Sequence, residues 1–340
     1  SDPRPLAAIV VVDPYSTGTH VAAGVIKRGY RLVVVWSNAG TLAAVESMHR
    51  SEDLPSEGLM TQTTTTPAVT MLLHDPSDLS ATISNLQKLE CSFAAVVPGA
   101  DTGVLLADHL SDQLGTRANC LGLSSARRNK YAMGERVREM GIRAAKQKLA
   151  RSWHDIEDFF QDWMPDPFVV VVKPVESAGS DGVSKCQSMD EAHAAFAALD
   201  GTTNALGMKN EGVLVQEYLE GAEYVIDSVS RDGVHKVTAV WQYEKCSLNG
   251  APFIYLGTYL RAATGETIDQ LLEYGAQVEW ITFKSAHMEV KMTPLGPCLV
   301  EVGCRCHGAQ GTWVNFSLKH YHGKISLKKG GCFARLLRQG

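Results

Sequence analysis

Two lysines, two glutamates and a run of small residues are the groups in this chain whose types and spacing could do chemistry. The stretch 168–183, FVVVVKPVESAGSDGV, carries part of that set. Its first five residues are apolar and bounded by Pro165 and Pro167, which reads as a short buried strand. Lys173 closes the strand and Pro174 stops the ladder. The loop Ser177-Ala178-Gly179-Ser180-Asp181-Gly182 follows. Small side chains let backbone N–H groups approach an anion, and a lysine adds a point charge, so this unit could form a lid over a polyphosphate. A β-hairpin with a surface lysine fits the stretch equally well. It is not a Walker A loop, because the lysine precedes the glycines, and it is not a GxGxxG loop.

The glutamates lie near the other end, in HMEVKMTPLGPCLVEVGCR at 287–305. Two short strands flank a Pro-Leu-Gly-Pro turn and place Glu289 and Glu301 to face each other across a hairpin. Neighbouring carboxylates repel unless a proton or cation lies between them, and an all-oxygen pair suits Mg²⁺. Solvated glutamates on exposed strand faces are the alternative. Arg305, beyond Glu301 on the same side of the strand, adds a phosphate-binding group. His287 stands beside the first strand and can touch substrate or serve a structural role. Cys304-Arg305-Cys306-His307 lacks CxxC spacing and a second ligand pair, so no zinc site is expected.

Between these ends, QEYLEGAEY at 216–224 runs from an apolar strand through an acidic linker into an alternating strand. Such a segment could set backbone polar groups beside an adenine and a carboxylate beside ribose hydroxyls; an acidic hairpin turn is the alternative. Lys130, in the segment ARRNKYAM that opens a helix at 126, could be an ordinary solvated lysine. Its position about forty residues ahead of Lys173 gives it interest.

The remaining elements must hold these groups. A chain of 340 residues, 45% hydrophobic and 20% charged, can bury two or three lobes and is not globally disordered. A net charge of −5 argues against a nucleic-acid surface. No apolar run reaches the roughly 18 residues that a membrane span needs. The start Ser1-Asp2-Pro3 reads as trimmed, and a removed targeting segment stays open. Eight scattered cysteines suit a reducing compartment, the cytoplasm or an organellar stroma.

Strands are expected at 7–12, 32–36 and 93–97, and helices at 20–28, 76–89 and 104–114. This βαβ order implies a parallel sheet with ligand loops at the carboxyl ends of its strands. There the loop Asp13-Pro14-Tyr15-Ser16-Thr17-Gly18 faces a cleft, while Ser16 or Thr17 caps the next helix. Residues 37–69 give no clear pattern beyond a loop and short strand around 60–66. Further on, helices are expected at 153–163 and 189–199, an apolar strand from Val213, and strands at 225–229, 237–241 and 252–260, with Tyr243-Glu244-Lys245 between the last two.

In their order and spacing, these elements resemble the ATP-grasp superfamily, and within it the carboxylate–amine ligase group of L-amino-acid ligases and carnosine synthase. The likeness runs over roughly residues 7–312. It implies an α/β and α+β fold: a parallel-sheet pre-ATP-grasp domain at 1–122, then two ATP-grasp lobes with antiparallel sheets clasping ATP, at 123–222 and 223–340. It also implies that Lys130 and Lys173 contact phosphates and that Ser177, Ala178, Gly179, Ser180 and Gly182 close over them. Gln216, Glu217, Tyr218 and Leu219 would frame the adenine and Glu223 the ribose. Glu289 and Glu301 would bind Mg²⁺, for which Mn²⁺ can substitute. Arg305 would act on the transferred phosphoryl group, with His287, Ser16 and Thr17 as substrate residues.

The implied activity is ATP-dependent joining of a carboxylate, that of an amino acid, to an amine through an acyl phosphate. A non-catalytic nucleotide-binding module and a carboxylase of the same fold are the alternatives. Two departures stand out: Gly303 replaces an asparagine common in the family, and the tail after Thr312 matches no family element. Small molecules are the expected partners, with no nucleic acid and no membrane; homo-oligomerisation and substrate identity are not legible.

Overall fold

The computed structural model describes residues 7–50, 69–177, 179–205, 207–248, 251–262, 264–278 and 285–308. Ala178, the expected 60–66 strand and the tail after Thr312 lie outside them. The described residues form two compact units, one drawn from 1–124, 282–286 and 303–340, the other from 125–281 and 287–302.

In the first unit β1 (Ala8–Val12), β2 (Arg31–Trp36), β3 (Thr70–Leu73) and β4 (Phe93–Pro98) form a parallel sheet in the order β3-β2-β1-β4. Alternate side chains of the central strands enter two separate cores. Ala8, Val10 and Val12 pack with Leu86 of α3 (Leu79–Gln87) and with Leu106, Ala107 and Leu110 of α4 (Val104–Gln113). Ile9 and Val11 pack with Val21, Ala22 and Val25 of α1 (Thr17–Lys27) and with Val45 of α2 (Ala39–Arg50). Both faces are covered, which is why β1 and β2 read as unbroken apolar runs. Two elements, α2 and β3, had no clear sequence signal. β3 is a short edge strand whose Met71 and Leu73 are exposed, so no burial pattern marks it.

The second unit holds two sheets. β5 (Gln147–Ala150), β6 (Val170–Pro174), β7 (Ser184–Cys186) and β8 (Val213–Glu217) pair antiparallel in the order β5-β8-β6-β7. One face is covered by α6 (Trp153–Asp162) and α7 (Met189–Leu199), whose Ile156, Phe160, Ala192 and Phe196 meet Val170, Val172, Val213 and Val215. Burying each such side chain contributes about 1.5–3 kcal/mol. The strand begins at Val170 instead of Phe168, and Pro174 stays in it opposite Val213. α5 (Lys130–Glu139) starts later than 126, because residues 125–127 form a 3₁₀ turn and Asn129 caps the helix by accepting from Ala132 N–H.

The second sheet runs β11-β10-β9-β12-β13, from β9 (Ala222–Arg231), β10 (Val234–Leu248), β11 (Ala251–Arg261), β12 (Ser285–Thr293) and β13 (Gly296–Gly303). Tyr243-Glu244-Lys245 belongs inside β10 and is not a linker. α8 (Glu266–Val278), which the sequence reading did not anticipate, covers one face; a Cβ at its Gly275 would lie 2.9 Å from Ile226 and 3.9 Å from Met288. No helix among the described residues is long and apolar enough to cross a membrane.

Gly221 joins β8 to β9 at φ +134°, where a Cβ would lie 1.9 Å from the Met292 carbonyl oxygen. Neither the dihedral nor the backbone contact can relax cheaply. Gly221→Ala is therefore expected to destabilise the protein by about 3 kcal/mol or more, read as a fall in denaturation midpoint. An unchanged midpoint would show that this junction tolerates a side chain.

Candidate active site

Alternation along β6 decides where Lys173 goes. Val170 and Val172 point into the helix-covered core, so Val171 and Lys173 take the other face. There Lys173 is buried, and its ammonium pKa falls to about 8. Desolvation is the main cause and the charge of Lys130 adds to it, against Glu301, Glu289 and Glu223, which favour the charged form. The two lysines and three glutamates thus converge on one region, with Lys173, Glu223 and Glu289 buried and Lys130 and Glu301 half-buried. Lys130 Nζ lies 2.8 Å from Glu301 Oε2 and donates to the Ser177 carbonyl at 2.7 Å, tying the small-residue loop to β13.

The five-stranded sheet supplies the rest by the same period of two. Glu223 on β9, Lys245 on β10, and Glu289 and Lys291 on β12 bear on one another. Lys245 Nζ is 2.5 Å from Glu223 and 3.8 Å from Glu289, and lies over the rings of Tyr243 and Tyr255. Lys291 is 3.7 Å from Glu223. Burial and the charge of Glu289 raise the Glu223 carboxyl despite Lys245. Burial would also raise Glu289, but a hydrogen bond from His287 and the charge of Lys245 hold it well below the usual carboxylate range. Lys245 escaped the sequence reading; alternation of Trp241, Tyr243 and Lys245 with the strand partner Glu223 was the available signal.

The segment 216–219 turns its side chains to structural partners. Gln216 donates to Gln147 at 3.1 Å, Glu217 meets Arg143 at 3.1 Å and accepts from Lys146 N–H, and Leu219 packs with Ala145 and Cys298. Tyr218 lies beneath Lys185, 4.1 Å from its ring centroid. In the loop, Gly179, Ser180 and Gly182 all have positive φ, and the Ser177 hydroxyl donates to the Asp181 carbonyl at 3.2 Å.

The remaining candidates belong to the first unit. Its strand order reverses between β1 and β4, where ligands bind in sheets of this kind. Tyr15 and Asp13 both contact Thr102 there. Ser16 occupies the N-cap position without a capping side-chain bond, correcting one expectation, and Thr17 Oγ1 donates to the carbonyls of His307 and Gly308. β13 ends at Gly303, so Arg305 lies past the strand; its guanidinium donates from Nε and Nη2 to one oxygen, Asp101 Oδ2, at 2.9 and 2.6 Å. A Cβ at Gly303 would lie 3.0 Å from that guanidinium, so Arg305 fills the space an asparagine side chain would need.

Residues 166–312 match the family model described as ATP-grasp domain. These residues form an ATP-grasp domain. The domain match takes in Lys173, the small-residue loop, the 216–224 segment and both glutamates of the hairpin, while Lys130 lies ahead of it. Over 247 residues the chain is 34% identical to dapdiamide A synthase of Enterobacter agglomerans, covering 72% of this chain. It spans 57% of that relative's length. Its ATP-grasp fold is similar to L-amino acid ligase from Bacillus licheniformis (TM-score 0.64, 16% identity, covering 92% of this chain and 69% of that one). It is also similar to the ADP complex of purK, N5-carboxyaminoimidazole ribonucleotide synthetase (TM-score 0.68, 13% identity, covering 98% and 77%). At such identities these structures speak to the fold alone.

Proposed function

We propose that this chain is an ATP- and Mg²⁺-dependent ligase that joins the carboxylate of an amino acid to an amine. The observation that carries the reading is the convergence of Lys130, Lys173, Glu223, Glu289 and Glu301 on one region whose centre is buried. The likeness to dapdiamide A synthase and to L-amino acid ligase supports it. The first unit is read as the pre-ATP-grasp domain and the second as the two clasping lobes.

The donor set fits a metal-bound triphosphate. Two lysines with a small-residue loop suit phosphate oxygens, and the carboxylates of Glu289 and Glu301 suit a hard cation. Glu289 and Glu301 would hold Mg²⁺, which would supply charge neutralisation at the phosphoryl oxygens. Lys130 and Lys173 hold the phosphates, Ser177 to Gly182 close over them, 216–219 flank the adenine and Glu223 takes the ribose. A substrate carboxylate oxygen attacks the γ-phosphorus, ADP leaves with the P–O bond pair, and an acyl phosphate forms. The amine nitrogen attacks its carbonyl carbon, phosphate leaves with the C–O bond pair, and nitrogen sheds a proton. Fixed charges and positioning do most of this work, so no nucleophilic side chain is required. Cys91, Cys186, Cys246 and Cys298 are free thiols, which supports a reducing compartment.

The test is phosphate release from ATP and Mg²⁺ across single amino acids and pairs. Release confined to particular pairs is the expected outcome and identifies both substrates. ATP binding without release in any mixture would overturn the ligase reading in favour of a nucleotide-binding module.

A further inference from the structure

A chain of buried polar contacts stands behind Glu289. The indole N–H of Trp241 on β10 donates to Asp227 Oδ2 on β9 at 2.7 Å. The other oxygen, Asp227 Oδ1, is 3.1 Å from His287 Nδ1 on β12. His287 Nε2 in turn lies 3.3 Å from Glu289 Oε1, with the Tyr243 hydroxyl 3.5 Å from the same nitrogen. Trp241, Asp227, His287 and Glu289 are all buried. An indole nitrogen can only donate, so Trp241 donates to Asp227. The two nitrogens of His287 lie against Asp227 and Glu289; a neutral ring donates from one of them and an imidazolium from both. The second oxygen, Glu289 Oε2, has a different neighbour, the Lys245 ammonium at 3.8 Å.

We infer that His287 is a positioning residue for Glu289: gripped by Asp227 and Trp241, it clamps Oε1 and leaves Oε2 as the oxygen offered to a divalent cation. The inference rests on reading Glu289 as a metal ligand. Its physical content is preorganisation. A ring hydrogen-bonded at both nitrogens cannot swing, and a carboxylate held at one oxygen does not have to be oriented when the cation arrives. Outer-shell partners of this kind typically govern metal affinity by about 10–100-fold. Neither Asp227 nor Trp241 has any other role in the proposed reaction.

The experiment is Mn²⁺ binding to the full chain in the presence of ADP, followed by electron paramagnetic resonance, with no turnover required. His287→Asn keeps an amide near the Nδ1 position and loses the reach to Glu289. His287→Gln carries its amide to the Nε2 position and restores a donor there. The expected result is Mn²⁺ binding about 10–100-fold weaker in His287→Asn, with substantial recovery in His287→Gln, although both remove the imidazole. Asp227→Asn, which keeps its shape and an acceptor for Trp241, should weaken Mn²⁺ binding while the protein stays folded. Unchanged Mn²⁺ affinity in all three variants, with Glu289→Gln weakening it, would overturn the positioning role and leave the metal site standing. Unchanged affinity in Glu289→Gln would overturn the metal reading itself, and this role with it.

Discussion

Lys173→Met is expected to remove ATP turnover while making the protein more stable. The lysine is buried, and its pKa falls from 10.5 to about 8. Between those values the unfolded chain holds a proton that the folded chain has shed, so stability rises with pH across that window. Below about pH 8 the whole penalty of burying the charge is present, on the order of 3 kcal/mol. Methionine has similar length and no charge, so the variant should unfold at a higher temperature at pH 7. That advantage should shrink as pH climbs towards 10.5. Turnover should fall by about 10²–10³-fold if the proposed phosphate contact holds, because an ammonium is then lost where water is excluded. Melting curves at both pH values and a phosphate-release assay measure the two effects separately. Full activity in the variant would remove Lys173 from the phosphate site.

The second large effect is expected from Glu301→Gln. The amide keeps the size of the side chain but removes the negative charge that pairs with Lys130 at 2.8 Å. Two consequences follow from one substitution. A hard cation loses an anionic oxygen, so the Mg²⁺ concentration for half-maximal turnover should rise by about 100-fold. Lys130 loses its carboxylate and becomes more available to phosphate, so metal-free ADP binding should tighten or hold steady. Opposite movements of metal and nucleotide affinity would not arise from simple loss of structure. A Mg²⁺ titration that does not shift would remove Glu301 from the metal site.

Much of the architecture was legible because it is local. Unbroken valine runs such as AIVVV and RLVVVW have few ways to be buried other than as central parallel strands. The capping box of Ser152 and Asp155 opens the helix at Trp153 where the pattern places it. The missed elements lack such signals: β3 and β5 have four residues each, and β3 lies at an edge. Lys130, Lys173, Glu289 and Glu301 could be singled out because each stands at a recognisable strand, loop or helix boundary, in an order shared with the ATP-grasp family.

The sequence by itself determined most of the strands and helices, α2, β3, β5 and α8 apart, and which charged residues accompany the small-residue loop and the carboxylate hairpin. Only the tertiary structure decided which of those residues share a face. Lys245 in the middle of β10 looks like an ordinary solvated lysine until the pairing of Tyr243 with Glu223 turns it towards the buried carboxylates. His287 and Asp227 are 60 positions apart, and cross-strand neighbours bring their side chains within 3.1 Å. Arg305 reads as an extension of the Glu301 strand, yet the chain leaves the strand at Gly303 and the guanidinium closes on Asp101. Alternation is a local property and can be read along one strand. Register between strands is set by long-range pairing and the packing of whole sheets, which no single stretch of sequence contains.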